Sequence, residues 1–178
     1  TRGVCAGGQP GHANVIDLFI FSSLGEVTDT GNLTSQRWLM GGGCSNQTRS
    51  IFTGGSTFGS PHPKVTTLDY ITTASGGDAK SFGDQSLARR MQASVNSPTR
   101  GIWAGGYSPF DGNNIIDYVT IATTGTAQDF GDQTHANREG AGACNSTRGV
   151  FMGGGTSGNR AIIDYITIAT TGNATRFG

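Results

Sequence analysis

Four short signatures recur in one fixed order along this chain, and that order constrains the fold more than any other feature. Thr-Arg stands at Thr1-Arg2, Thr48-Arg49, Thr99-Arg100 and Thr147-Arg148. A glycine pair follows at Gly7-Gly8, Gly54-Gly55, Gly105-Gly106 and Gly153-Gly154, then an aspartate at Asp17, Asp69, Asp117 and Asp164. The unit closes on Phe-Gly at Phe82-Gly83, Phe130-Gly131 and Phe177-Gly178, with Thr30-Gly31 in the first copy. Starts at 1, 48, 99 and 147 put the period near 48 residues. They divide a single repeat domain, 1–178, into units of about 1–47, 48–98, 99–146 and 147–178. Tandem periods of this size mark repeat architectures, in which no unit buries its apolar face alone.

Spacing inside the unit separates framework from loop. From the aspartate to the glycine of Phe-Gly the interval is constant: 17 to 31, 69 to 83, 117 to 131 and 164 to 178. From the glycine pair to the aspartate it varies: 7 to 17, 54 to 69, 105 to 117 and 153 to 164. The constant interval predicts paired strands, and the variable one a surface loop that tolerates insertion.

Each unit reads as four strands. The first is small, as in Gly140-Ala141-Gly142-Ala143-Cys144 or Ala93-Ser94-Val95, and the second is apolar, as in Gly149-Val150-Phe151-Met152. The third, 162–168, alternates Ile163, Tyr165 and Thr167 with Ile162, Asp164, Ile166 and Ile168, and the fourth runs into Phe-Gly. Composition agrees. Only 13% of residues are charged, with two lysines, two glutamates and 23 threonines, which suits half-exposed strands rather than helices. Short strands, four per unit at this period, predict an all-β propeller, with the slim strand innermost where blades crowd. A β-solenoid is the competing fold, but its coils are shorter.

These signatures resemble the Kelch repeat. Its double glycine closes the second strand, as Gly-Val-Phe-Met-Gly-Gly does here, and spaced aromatics follow in the third and fourth. Phe82, Phe130 and Phe177 stand where Kelch units usually carry tryptophan. The wording Ile-Ile-Asp-Tyr-Ile-Thr-Ile-Ala-Thr-Thr-Gly is also similar to tandem repeats in virion and tail-associated proteins of marine cyanophages. The resemblance implies a Kelch-like propeller of four blades, or an arc of a larger one. By analogy it implies a virion or extracellular location and other copies or virion proteins as partners.

The chain opens at a second strand and stops at a fourth, so the first blade is expected to lack its innermost strand. Further blades in a longer parent chain would explain this, as would a strand supplied by a partner.

Zero net charge gives no electrostatic footprint for nucleic acid, and no apolar run is long enough for membrane insertion by a helix. Cys5, Cys44 and Cys144 have no metal-type spacing and read as buried thiols, one disulfide remaining open. His12, His62 and His135 lie in unlike contexts, and nothing marks a nucleophile, a metal or a cofactor site. The chain is therefore expected not to be an enzyme. Kelch-type propellers also scaffold carbohydrate oxidases, which makes a secreted enzyme the alternative, but those need Tyr and His metal ligands at the axis.

The repeated charges Arg2, Arg49, Arg100 and Arg148, with Asp17, Asp69, Asp117 and Asp164, read as structural ties, because half-buried charges need fixed partners. Function is expected on the loops between second and third strands. These hold His12, Asn14, Phe58, His62, Tyr107, Phe110, Asp111, Asn113 and Arg160. Aromatic platforms beside Asn and Asp are what a sugar ring requires, which makes a surface glycan the expected ligand.

Overall fold

The computed structural model describes residues 2–8, 13–23, 25–108, 111–156, 158 and 160–178. Among them there is no helix. Among the described residues fifteen strands form four antiparallel sheets, arranged as the blades of a four-bladed β-propeller. Blade 1 has three strands, β1 (Arg2–Ala6), β2 (Val15–Ile20) and β3 (Thr28–Asn32). Blade 2 has four: β4 (Cys44–Ser45), β5 (Arg49–Thr53), β6 (Thr67–Thr72) and β7 (Lys80–Asp84). Blade 3 contains β8 (Ala93–Asn96), β9 (Arg100–Ala104), β10 (Asn113–Thr120) and β11 (Gln128–Asn137). Blade 4 contains β12 (Ala141–Cys144), β13 (Arg148–Met152), β14 (Ile163–Thr167) and β15 (Thr175–Arg176). Strands follow one another in order within every sheet, and the small strand β4, β8 or β12 is an edge of each complete blade.

Those small strands touch across the blades. The Cys44 thiol reaches the Val95 carbonyl at 3.3 Å, and the Asn96 amide donates to the Ser45 carbonyl at 2.8 Å. The expectation of buried thiols holds only for Cys44, whose burial pushes its pKa up to about 12; Cys5 and Cys144 are exposed free thiols. The Cys144 sulfur accepts from the Asn96 backbone amide of the third blade at 3.4 Å.

The core lies between blades rather than within them. Ile16 and Leu33 of the first blade and its connector pack on Phe52 and Ile71. Ile51, Leu68 and Phe82 meet Trp103, Val119, Ile121 and Ala127. Ile102, Ile116 and Phe130 meet Phe151, Ile166, Ile168 and Ala174. A single sheet has two faces and no interior, so each blade buries its apolar residues against the next.

The constant interval ends in a bulge. Leu68 faces Gly83 while Asp69 faces Ser81, so Phe82 is an extra residue on β7. The same step leaves out Phe130, between Ile116↔Gly131 and Asp117↔Asp129, and Thr30, between Ile16↔Gly31 and Asp17↔Asp29. The bulge re-aims the phenylalanine. Phe82 and Phe130 are each 2% exposed, edge-on to Tyr70 and Tyr118 at 5.8 Å.

Candidate functional site

The repeated charges divide into two kinds of tie. Arg2, Arg49 and Arg100, each at the start of a second strand, reach forward to the next blade. Arg49 Nη1 donates to the Ile121 carbonyl and Arg100 Nη1 to the Ile168 carbonyl, both at 2.9 Å, and Arg2 contacts the Thr73 and Ala74 carbonyls. Their guanidiniums lie over Tyr70 at 4.8 Å and Tyr118 at 4.6 Å, and Arg148 lies over Tyr165 at 4.6 Å. The aspartates are held instead by the connector entering their blade. Asp69 accepts from the Thr34 hydroxyl and from Arg37 Nη2 at 2.5 Å, and Asp117 from the Ser86 hydroxyl and from Arg89 Nη2 at 2.8 Å. All four side chains of these two ion pairs are fully buried. Burial lowers the pKa of both arginines, and the adjacent aspartates oppose the shift.

The third copy of this segment, which forms the end of β11, differs. Thr134 still donates to Asp164, but Asn137 stands in the arginine position and donates to the Gly153 carbonyl at 2.8 Å. His135 Nδ1 lies 3.5 Å from Asp164. Its pKa is nonetheless lowered, because burial and the charges of Arg160 and Arg176 outweigh the aspartate, so the neutral imidazole is favoured. Asp17, half-buried on β2, has no side-chain partner among the described residues.

Sequence inspection missed Arg37 and Arg89. Both lie six residues after the glycine of the closing dipeptide, 31 to 37 and 83 to 89, an interval that marks them.

On the loop face the expected residues separate. His12 and Phe110 lie outside the described residues. Asn14 sits in the first loop, where its carbonyl accepts from the Leu33 amide at 2.6 Å, and Arg160 is exposed at the last loop. Phe58 is 75% exposed, and His62 packs edge-on to Trp38 at 5.3 Å. Asn113 is turned inward: its amide donates to the Gly106 carbonyl at 2.7 Å and its oxygen accepts from Arg89 at 3.1 Å.

Tyr107 is the centre of a cluster. Lys64 Nζ lies 4.5 Å from its ring centroid, the Arg90 guanidinium 4.9 Å and that of Arg138 5.0 Å. The cations come from three blades. Lys64 is on the second loop, while Arg90 and Arg138 directly follow Arg89 and Asn137 in the connectors to the third and fourth blades. Tyr107 is fixed by reciprocal backbone bonds with Arg90, at 2.7 and 3.2 Å. Arg90 also reaches the Ser56 hydroxyl at 3.2 Å and lies 5.8 Å from the Trp38 ring. Among the described residues the one carboxylate in contact is Asp111, 3.7 Å from Arg138, in a pair that is partly exposed on both sides. The cluster therefore carries excess positive charge. Lys64 registers it: its pKa is lowered, first by desolvation and then by the charge of Arg90.

A cavity of about 720 Å³ lies among Arg2, Asn46, Asn96, Cys144 and Asn145. Asn46 and Asn145 serve turns, their oxygens each accepting from the amide two residues on at 2.9 Å, while Asn96 bridges to Ser45. Among the described residues no three His, Cys, Asp or Glu side chains come together as a metal site.

No protein-family model matches the chain, and no curated protein is detectably similar to it.

Proposed function

We propose that this chain is a non-enzymatic recognition module, a Kelch-like arc on a virion appendage or another extracellular fibre. Its loop face takes an acidic surface glycan. The observation that carries this reading is the convergence of Lys64, Arg90 and Arg138 on Tyr107, with Asp111 the single carboxylate in contact among the described residues. A tyrosine ring offers the apolar platform on which a pyranose stacks, and flanking cations supply charge-assisted hydrogen bonds to a carboxylate or sulfate. The propeller frame is compatible with such a role, since rigid scaffolds commonly carry binding residues on loops.

The test is a glycan array followed by titration with the best acidic hit. Tyr107→Ala and Arg90→Ala should each weaken binding by about tenfold or more, and binding should fall as salt rises. An array on which neutral sugars bind as well as acidic ones, or variants that bind like the parent, would remove the proposal. A bound anion should also restore the Lys64 pKa toward its ordinary value, which lysine side-chain NMR would follow.

A further inference from the structure

The second and third blade joints are built from the same contacts, the first keeps their arginine and their paired glycines, and the outer faces of the first and fourth blades carry the two halves of another such joint, with nothing against them among the described residues. On the fourth blade, Arg148 is held over Tyr165 as Arg100 is over Tyr118, yet it has no carbonyl acceptor among the described residues. Phe177 is 63% exposed, whereas Phe82 and Phe130 are each 2% exposed. Gly83 and Gly131 press against the backbones of Gly125 and Gly172, while Gly178 meets open space.

The first blade presents the complement. Counted from its aspartate, Phe21 (17 to 21) corresponds to Ile121 (117 to 121) and Ile168 (164 to 168). Likewise Gly25 corresponds to Gly125 and Gly172, and Val27 to Ala127 and Ala174. Phe21 is 66% exposed and Val27 54%, against 0% and 1% for the two isoleucines and 8% for each alanine. Gly25 also meets open space.

We propose that these faces form a self-association surface, on which the fourth blade of one molecule seats the first blade of a second copy, head to tail. Both halves lie on one chain and match as the halves of its second and third joints do, so a second copy carries the surface that each face fits. In that contact Arg148 donates to the Phe21 carbonyl, and Phe177 covers Phe21 and Val27. The Gly25 amide donates to the Phe177 carbonyl, as those of Gly125 and Gly172 do to Phe82 and Phe130 at 2.8 and 2.7 Å. Such a contact is heterologous, so it closes a ring or extends a filament.

Sedimentation equilibrium of the purified chain tests this. The wild type should exceed the mass of one chain as concentration rises, and Arg148→Ala should weaken association by about tenfold. Phe177→Asp and Val27→Asp each place a charge in one half only. Each variant alone should stay monomeric, and the two mixed should form a one-to-one dimer and nothing larger, which also requires both to be folded. A wild type that is monomeric throughout, association indifferent to Arg148→Ala, or a mixture that stays monomeric would overturn the proposal.

Discussion

Asp117 shows how a single residue holds a joint. Its fully buried carboxylate accepts from the Ser86 amide, the Ser86 hydroxyl and Arg89. Asp117→Asn keeps the shape but leaves the Arg89 cation buried without its counter-charge. Breaking a buried pair from one side costs about 3 kcal/mol or more. Urea denaturation should show that loss for Asp117→Asn and almost none for Asp17→Asn, whose carboxylate is half-buried and without a partner among the described residues. Equal effects at the two positions would refute the assignment. His135 gives a pH signature. With its folded pKa lowered, the unfolded chain binds a proton more readily than the folded one. Stability from this group is therefore complete above the ordinary histidine pKa, about 6.5, and declines as pH drops from there toward the folded value. Thermal melts across that window should fall less steeply for His135→Gln than for the wild type; parallel curves would exclude His135 as the source.

At the scale of the element, the joint depends on two glycine backbones touching. A β-carbon on Gly83 would lie 2.2 Å from the Gly125 carbonyl oxygen, and Gly83 has φ +150. Gly83→Ala therefore has no side-chain rearrangement available to relieve the clash and should destabilise by more than about 2 kcal/mol, measured by denaturant midpoint. An undiminished midpoint would show that the blades can separate without penalty. The bulge beside Gly83 also explains what could be read in advance. A hairpin with a fixed bulge cannot change length without turning Asp69 or Phe82 to the wrong face, so the 69-to-83 interval repeats and is visible. The Arg37 and Arg89 ties were harder to see because they lie in connectors and the third copy has Asn137 instead. Tyr107 and Asp111 were legible as loop-face residues, but the cations gathered on the ring had no readable signal. They are 17, 31 and 43 residues from Tyr107, at 90, 138 and 64, and only the packing of blades brings them together.

Over the whole molecule, order should follow the number of neighbours. Blades 2 and 3 are packed on both faces, whereas blade 1 has three strands and one covered face. Hydrogen exchange should accordingly find the amides of β5, β6, β9 and β10 the slowest and those of β1 and β2 markedly faster. Uniform protection would mean that the four blades open as a single unit.

The ties also have a direction. Arg49 and Arg100 project ahead to strands made later, and the connectors carrying Arg37 and Arg89 precede the aspartates they secure. A nascent chain thus displays the clasp before its catch has been synthesised, so each new sheet can fasten onto a finished one without waiting for anything downstream.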